Sequence, residues 1–385
     1  MLLALGLACL LGLYLGIGPE RVLPGDEMRF IQTSRSFADS FGLELLRHYE
    51  EMSTPLPFVI FGLWGKIFGF DLGSMRLGAL LLTLLTIDQL GRFCQDVTTS
   101  RRQAWLVAAG TCFANPYFLP LGIMVYTDIP SLFFLLLGAR ACYRSDPLGL
   151  AIGCAGMLLC RQYLAFLVPA YMLLQGWRWL CLPTQRRAAL AMTTAIAIGC
   201  LPLVGLVLMW GGLTPDNATR LVYAGAGQAY HLNSLVLYCA LLTWFCHPAL
   251  LACRQALPRS WTVLLVPLLL SQAYWLFPVR PSPVAAGIDQ QTVGLLHRAL
   301  KLIDPAGRLA DLVFFLGFFV ALGILWAGLR QAAWYVRQRE GYLPLLPVCA
   351  VFCFLLVMPW SYLHWEKYFL PAIPFALLMI SEAGG

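Results

Sequence analysis

Long apolar runs recur along the whole chain, and they restrict its fold more than any other feature. The sequence is 60% hydrophobic and only 12% charged, whereas a soluble domain has roughly a quarter of its residues charged. A helix of about 20 apolar residues crosses the hydrocarbon core of a bilayer and satisfies its own backbone hydrogen bonds there. The sequence therefore predicts an all-α fold, a polytopic transmembrane helix bundle, and an integral membrane protein.

The apolar runs predict about ten to thirteen membrane spans. They cover approximately residues 1–17, 76–91, 103–119, 128–142, 147–160, 162–176, 188–210, 231–252, 261–278, 309–329, 343–358 and 368–383. Residues 18–75 form a more polar loop in which Phe30, Phe37 and Phe41 recur at helical spacing, which predicts helices at the membrane interface. Within this loop Leu56–Phe68 is apolar but short, so it is expected to be interfacial or re-entrant.

Basic residues predict which side of the membrane each loop faces, because Lys and Arg concentrate in cytoplasmic loops. The loops that carry Arg101, Arg140, Arg186 and Arg337 all fit on the cytoplasmic side. The loop of residues 18–75 and the other polar clusters are then extracytoplasmic, in a periplasm or a lumen. In a bacterium the membrane would be the inner membrane. The net charge of +7 is scattered between spans, so it does not indicate a nucleic-acid partner.

Thirteen cysteines could indicate a disulfide framework, but many lie in apolar runs and none forms a CxxC pair. This pattern is typical of thiols that act as small hydrophobic side chains. The chain has no HExxH motif and no Cys/His set with metal spacing. The sequence therefore identifies no certain cofactor, and carboxylates could still hold a divalent cation.

Asp26 and Glu27 follow the first span in the sequence Pro24-Gly25-Asp26-Glu27. Carboxylates beside a membrane are costly unless they face water. An ionised Asp can take a proton from a hydroxyl group. The alternative is a solvated loop in which Asp26 caps the following helix.

Asp128 begins a span within Tyr126-Thr127-Asp128-Ile129-Pro130. It could cap that helix, with Pro130 in the first turn. It could instead be a second carboxylate that faces Asp26.

Arg161 and Gln162 interrupt an apolar stretch. An uncompensated Arg in lipid costs on the order of several kcal/mol, so Arg161 must face a polar cavity, reach the interface or pair with Asp128. Arginine also suits phosphate, which it binds with two donors.

A cluster of His364, Lys367 and Tyr368 lies between the last two spans. It fits an ordinary interfacial belt of aromatic residues, or it adds positive charge beside a lipid phosphate. His231 opens another span, and a lone His at such a position is more often structural than catalytic.

Taken in this order, the motifs resemble those of the GT-C glycosyltransferases. The matching residues are Asp26-Glu27, Ser53-Thr54-Pro55, Arg76-Leu77, Asp128, Arg161-Gln162, and His364 with Lys367, Tyr368 and Pro371. The resemblance covers nearly the whole chain, although each motif is short. Within this class the chain looks most like the dolichyl-phosphate-glucose α-1,2-glucosyltransferases and their bacterial relatives. It departs from them at Ser53-Thr54-Pro55-Leu56, where that family has Thr-Thr-Pro-Pro, and it lacks the Gly-Asp that precedes the family's His.

The resemblance implies a membrane glycosyltransferase that forms a single domain over residues 1–385. The donor would be a polyprenyl-phosphate sugar of the hexose type, and the acceptor a lipid-linked glycan or another extracytoplasmic lipid or protein. A single Asp base and direct displacement would invert the anomeric configuration. The implied roles are catalysis by Asp26, Glu27 and Asp128, donor phosphate binding by Arg161, Gln162, Lys367, His364 and Tyr368, and acceptor or sugar contact by His231, Tyr126 and Arg76.

The alternative function is a transporter or flippase of lipid-linked sugars. Transporters place charges or broken helices near the middle of the membrane, often in related halves. Here the polar clusters are predicted on one face, which favours an enzyme. A third possibility, a non-catalytic scaffold, leaves Arg161 and the acidic pair unexplained.

Overall fold

The computed structural model of the protein describes residues 2–23, 25–215, 229–253, 261–281, 292–338, 343–361 and 363–383. All regular secondary structure in these ranges is helical, which confirms the predicted all-α fold. The α-helices are α1 Leu2–Ile17, α2 Glu27–Asp39, α3 Leu43–His48, α4 Leu56–Phe68, α5 Leu72–Val97, α6 Arg101–Phe113, α7 Phe118–Ile123, α8 Asp128–Arg144, α9 Pro147–Cys160, α10 Leu167–Cys181, α11 Arg186–Trp210, α12 Leu232–Phe245, α13 His247–Ala252, α14 Trp261–Ser271, α15 Leu295–Ile303, α16 Arg308–Gln338, α17 Leu345–Val357 and α18 Ile373–Ala383. Short 3₁₀-helices cover Gln162–Phe166, Pro183–Gln185, Gln272–Trp275, Met358–Trp360 and Glu366–Ala372.

The chain forms two compact units. The first unit consists of Met1–Val97, Tyr117–Val168 and Thr184–Gly225. The second unit consists of Thr98–Pro116, Pro169–Pro183 and Ala226–Gly385. The single domain over residues 1–385 stays a prediction.

Several helices have the length and composition of membrane spans. In the described part of the chain, three are long and apolar enough to cross a bilayer on their own: Leu72–Val97, Pro183–Trp210 and Arg308–Gln338. Shorter apolar helices cover Leu2–Ile17, Leu56–Phe68, Pro147–Cys160, Leu232–Phe245 and Leu345–Trp360. These helices identify an integral membrane protein, while the number of crossings stays a prediction.

The loop of residues 18–75 contains helices, as its periodicity predicts. Helix α2 buries Phe30 and Phe37, and α4 has the predicted bounds Leu56–Phe68. The two helices pack closely at Gly62, where an added Cβ would lie 2.6 Å from the carbonyl oxygen of Ser34. The position of these helices relative to the membrane stays a prediction.

Helices α8 and α9 form a hairpin that positions part of the candidate site. Ser145 takes a left-handed conformation with φ 52°, and Asp146 caps α9 by accepting a hydrogen bond from the Gly149 N–H at 3.1 Å. This short turn makes the two helices antiparallel neighbours, so the start of α8 lies beside the end of α9. Helix α9 ends at Cys160 because Arg161 adopts an extended backbone with φ −150° and ψ 111°.

The contact between α8 and α9 requires a residue without a side chain. A Cβ atom at Gly153 of α9 would overlap the backbone of Gly138 in α8. Close packing of this kind leaves no room for even one methyl group without movement of the backbone. The hairpin geometry therefore depends on Gly153.

Substitution of Gly153 tests this packing. Gly153→Ala should destabilise the protein by about 1–3 kcal/mol, the usual cost of overpacking a tight contact. Gly205→Ala in α11 is the matched control, because an added Cβ there meets nothing within 4 Å. The control should be neutral or stabilising by up to about 1 kcal/mol, since Ala favours a helix over Gly. Thermal unfolding in detergent measures both, and equal melting temperatures would rule out the tight contact.

Candidate functional site

Asp26 precedes the first residue of α2, directly after a turn at Gly25, and its carboxylate is accessible. Gly25 has φ +141°, and a Cβ there would lie 2.6 Å from the hydroxyl of Tyr126, so the turn requires glycine. The Asp26 backbone N–H donates a hydrogen bond to that hydroxyl at 3.2 Å. The Asp26 side chain makes no capping hydrogen bond. It is 44% exposed and lies 3.2 Å from Nη2 of Arg29, so the carboxylate is free of the capping role and faces outward.

Glu27 points the other way and forms a buried ion pair with Arg76. Arg76 donates from Nε to Oε1 of Glu27 at 3.0 Å and from Nη2 to Oε2 at 2.6 Å. Both side chains are 2% exposed. Nη1 of Arg76 also donates to the carbonyl oxygens of Gly18 and Pro19, each at 3.1 Å. Oε1 of Glu27 accepts a further bond from the Val125 N–H at 3.1 Å.

These bonds connect the ends of α1, α2 and α5 with the segment that precedes Tyr126. All of them are internal to the protein. The geometry therefore favours a structural role for Glu27 and Arg76. The catalytic role predicted for Glu27 and the sugar contact predicted for Arg76 remain predictions.

Asp128 and Arg161 form a second buried ion pair. Nη2 of Arg161 donates to Oδ2 of Asp128 at 2.9 Å, and the two side chains are only 10% and 3% exposed. The helix hairpin creates this pair by placing the first residue of α8 beside the residue that follows α9. The guanidinium also lies 5.9 Å from the centre of the Tyr163 ring. Pairing with Asp128, one of the alternatives for Arg161, is thus present.

Gln162 helps to hold the loop that joins α3 to α4. Its Nε2 donates to the carbonyl oxygen of Met52 at 2.6 Å. Thr54 Oγ1 donates to the carbonyl oxygen of Leu158 at 2.9 Å, and the Tyr49 hydroxyl donates to the carbonyl oxygen of Ser53 at 2.7 Å. The loop is therefore fixed against the end of α9, and a contact of Gln162 with phosphate stays a prediction.

Glu51, in this fixed loop, is a buried carboxylate beside the candidate site that the sequence analysis missed. Its side chain is 2% exposed, and it accepts a 2.6 Å hydrogen bond from Nε of Arg29. Burial raises the pKa of Glu51, while Arg29 opposes that rise, and the charges of Asp26 and Arg161 also act on it. Glu51 therefore lies near both the accessible carboxylate and the second ion pair. The sequence offers no signal that distinguishes it from its exposed neighbour Glu50.

Tyr126 connects the same groups. Burial raises the pKa of its hydroxyl to about 12, and the carboxylates of Asp26, Asp128 and Glu27 add to the rise. At neutral pH the hydroxyl therefore keeps its proton. The first unit thus gathers seven of the predicted site residues: Asp26, Glu27, Arg76, Tyr126, Asp128, Arg161 and Gln162.

The other four predicted site residues, His231, His364, Lys367 and Tyr368, belong to the second unit. The backbone N–H of His231 donates to the carbonyl oxygen of Pro359 at 2.8 Å. Burial lowers the pKa of His364, and His231 is near enough to lower it further. Nζ of Lys367 lies 5.8 Å from the centre of the Tyr368 ring. The roles predicted for these residues, in phosphate, acceptor or sugar binding, stay predictions.

Glu366, within the same segment, has a clear structural role. Its buried carboxylate accepts hydrogen bonds from the backbone N–H groups of Leu296 and His297, both at 2.8 Å. These groups belong to the first turn of α15, where a negative charge stabilises a helix. His364 is fixed nearby through a 2.6 Å contact between its Nε2 and the carbonyl oxygen of Arg280.

Among the described residues, no group of three or more His, Cys, Asp or Glu side chains is arranged to hold a metal ion. All thirteen cysteines lie in the described ranges, and none is joined in a disulfide.

Neither a protein-family model nor a curated protein matches this chain. Solved structures that resemble it include two crystal structures of ArnT from Cupriavidus metallidurans. The apo structure is 12% identical with a TM-score of 0.45, over 100% of this chain and 76% of that chain. The structure bound to undecaprenyl phosphate is 14% identical with a TM-score of 0.46, over 100% of this chain and 77% of that chain. The dolichyl-phosphate-glucose subfamily suggested by the motifs stays a prediction.

The Glu27–Arg76 pair gives a stability prediction. Glu27→Gln should destabilise the protein by about 3–5 kcal/mol, because Arg76 would keep a buried charge without a counter-charge. Asp88→Asn is the control, since Asp88 pairs with Arg92 at 2.7 Å but the side chains are 37% and 56% exposed. Its loss should cost at most about 1 kcal/mol. Chemical unfolding measures both, and an equally small effect of the two substitutions would remove the structural role of the buried pair.

Proposed function

We propose that this chain is a membrane glycosyltransferase of the GT-C class. It transfers a hexose-type sugar from a polyprenyl-phosphate donor to an extracytoplasmic lipid-linked glycan or another lipid or protein acceptor. The observation that carries the proposal is the accessible Asp26 carboxylate, held in one unit with the buried Asp128–Arg161 pair. Charged groups buried in a membrane protein are costly, and they commonly mark sites of function.

Arg161 is the proposed ligand of the donor phosphate. Its guanidinium is planar and always charged, so it can bind phosphate oxygens with two donors. The bond to Asp128 fixes one of its nitrogen atoms in place. As the bond from sugar to phosphate breaks, negative charge builds on the leaving phosphate, and a fixed cation lowers the energy of that state.

Asp26 is the proposed base. It takes the proton of the acceptor hydroxyl while that oxygen forms a bond to the anomeric carbon, and polyprenyl phosphate leaves with the bonding electrons. Displacement in one step inverts the anomeric configuration. The exposure of 44% gives the acceptor access to this carboxylate, in contrast with the internal Glu27.

Turnover by the purified protein tests the proposal against the transporter alternative. Nanodiscs containing the purified protein are given labelled polyprenyl-phosphate glucose, mannose or galactose together with a heat-inactivated membrane lipid and protein extract as acceptor, and the extract alone is the control. Release of polyprenyl phosphate with label on a new product supports a transferase. Movement of intact labelled lipid across proteoliposomes, without bond cleavage in either assay, would instead identify a flippase.

Substitution of the proposed base should abolish most activity. Asp26→Asn should lower kcat by about 10²-fold or more, since the amide cannot accept the proton. Asp39→Asn at the opposite end of α2, where the side chain is exposed, is the control and should keep full activity. Turnover of Asp26→Asn close to that of the control would exclude Asp26 as the base.

Arg161→Lys separates phosphate binding from a purely structural role. Lysine keeps the charge that compensates Asp128 but loses the planar fork, so the donor KM should rise by roughly tenfold, as for loss of one charged hydrogen bond. Arg140→Lys is the matched control, because Arg140 pairs with Asp96 at 2.6 Å near the other end of α8. An unchanged donor KM together with a lowered melting temperature would leave Arg161 with a structural role only.

The proposed orientation is tested by labelling of introduced cysteines in a variant that lacks the native ones. A probe at Glu44, whose side chain is 84% exposed, should react with a membrane-impermeant maleimide from the extracytoplasmic side. A probe at Arg186 should react only after the membrane is opened, because loops rich in arginine stay in the cytoplasm. The reverse pattern would place Asp26 on the cytoplasmic side.

A further inference from the structure

Asp26, Arg29 and Glu51 form a chain of two ion pairs that leads from an accessible carboxylate to a buried one. Nη2 of Arg29 lies 3.2 Å from Oδ1 of Asp26, with side chains 50% and 44% exposed. Nε of Arg29 lies 2.6 Å from Oε1 of Glu51, which is 2% exposed. Arg29 therefore contacts both carboxylates at once.

Glu51, the buried member of these two linked ion pairs, lies in a backbone segment that hydrogen bonds hold in place. Glu51 lies between Tyr49 and Ser53, which are joined by a hydrogen bond, and beside Met52, which accepts a bond from Gln162. These bonds hold the backbone on both sides of Glu51. Asp26, in contrast, has its side chain in contact with solvent.

The two contacts of Arg29 also differ in strength. The contact with Glu51 is short and partly buried, whereas the contact with Asp26 is longer and joins two side chains that are both about half exposed, so solvent screens it more strongly. Charged groups that act on Glu51 include Arg29, Asp26 and Arg161. Arg29 donates a 2.6 Å hydrogen bond to the buried Glu51 carboxylate, so Glu51 anchors the guanidinium.

We infer that Glu51 is a positioning residue that acts through Arg29. It keeps the guanidinium against Asp26, so that the Asp26 carboxylate has one orientation when an acceptor hydroxyl arrives. The effect on turnover rests on the proposed function, whereas the chain of ion pairs does not.

Carboxyl labelling tests this inference without any turnover. The full-length protein in detergent is treated with a water-soluble carbodiimide and an amine, and modification of Asp26 is measured by mass spectrometry. Glu51→Gln should speed labelling of Asp26 by roughly threefold, the change expected when an exposed ion pair is lost. Glu50→Gln, the adjacent exposed residue, is the matched control and should change nothing.

A double-mutant cycle then shows whether Glu51 acts through Arg29. Arg29→Gln should speed labelling of Asp26 as much as Glu51→Gln, and the double variant should be no faster than either. Unchanged labelling in Glu51→Gln, or additive effects in the double variant, would overturn the inference. If Glu51→Gln does not fold, Glu51→Asp takes its place, because its shorter side chain should weaken the anchor and give an intermediate rate.

Turnover gives a second readout that a merely structural role would not produce. Glu51→Gln should lower kcat by about tenfold with an unchanged donor KM, and it should have no further effect in the Arg29→Gln background. If the wild-type protein has no transferase activity, the proposed function is wrong. The labelling cycle would still show whether Glu51 holds Arg29 against Asp26. A protein whose activity depends on Asp26 but not on Glu51 would defeat the inference alone.

Discussion

Burial of charge in an apolar chain is the constraint on which the candidate site depends. A charged side chain that is removed from water is strongly destabilising unless an opposite charge and hydrogen bonds surround it. The first unit meets this requirement with three buried carboxylates, Glu27, Glu51 and Asp128, each in contact with an arginine. Each ion pair joins segments that are distant in the sequence, so together they determine which helix ends meet.

The ion pairs also divide the acidic residues into two groups. Glu27 makes all its contacts with internal donors, while Asp26, one residue earlier, stays accessible. The two side chains diverge because successive residues at the start of α2 project about 100° apart around the helix axis. Buried ion pairs thus lie beside the accessible carboxylate of Asp26, the arrangement expected for the proposed positioned base.

Much of the local structure could be predicted from the sequence, because it follows from periodicity. The bounds of Leu56–Phe68 and Pro147–Cys160, and the interruption at Arg161, agree with the structure. The partners of the charged side chains in the folded protein could be predicted only in part. Pairing of Arg161 with Asp128 was one of several alternatives for an arginine in an apolar run. Nothing in the sequence indicated that Glu27 pairs with Arg76, because the two residues are 49 positions apart. Glu51 was missed because burial, and not residue type, distinguishes it from Glu50.

The proposed role of these charged residues in binding the donor is tested most directly by a structure of the protein with bound polyprenyl phosphate. Cryo-electron microscopy in nanodiscs should show the phosphate within hydrogen-bonding distance of the Arg161 guanidinium, about 2.7–3.2 Å, with Asp26 facing the same space. A phosphate bound elsewhere, with Arg161 still held only by internal contacts, would show that the charged cluster stabilises the fold and does not bind the donor.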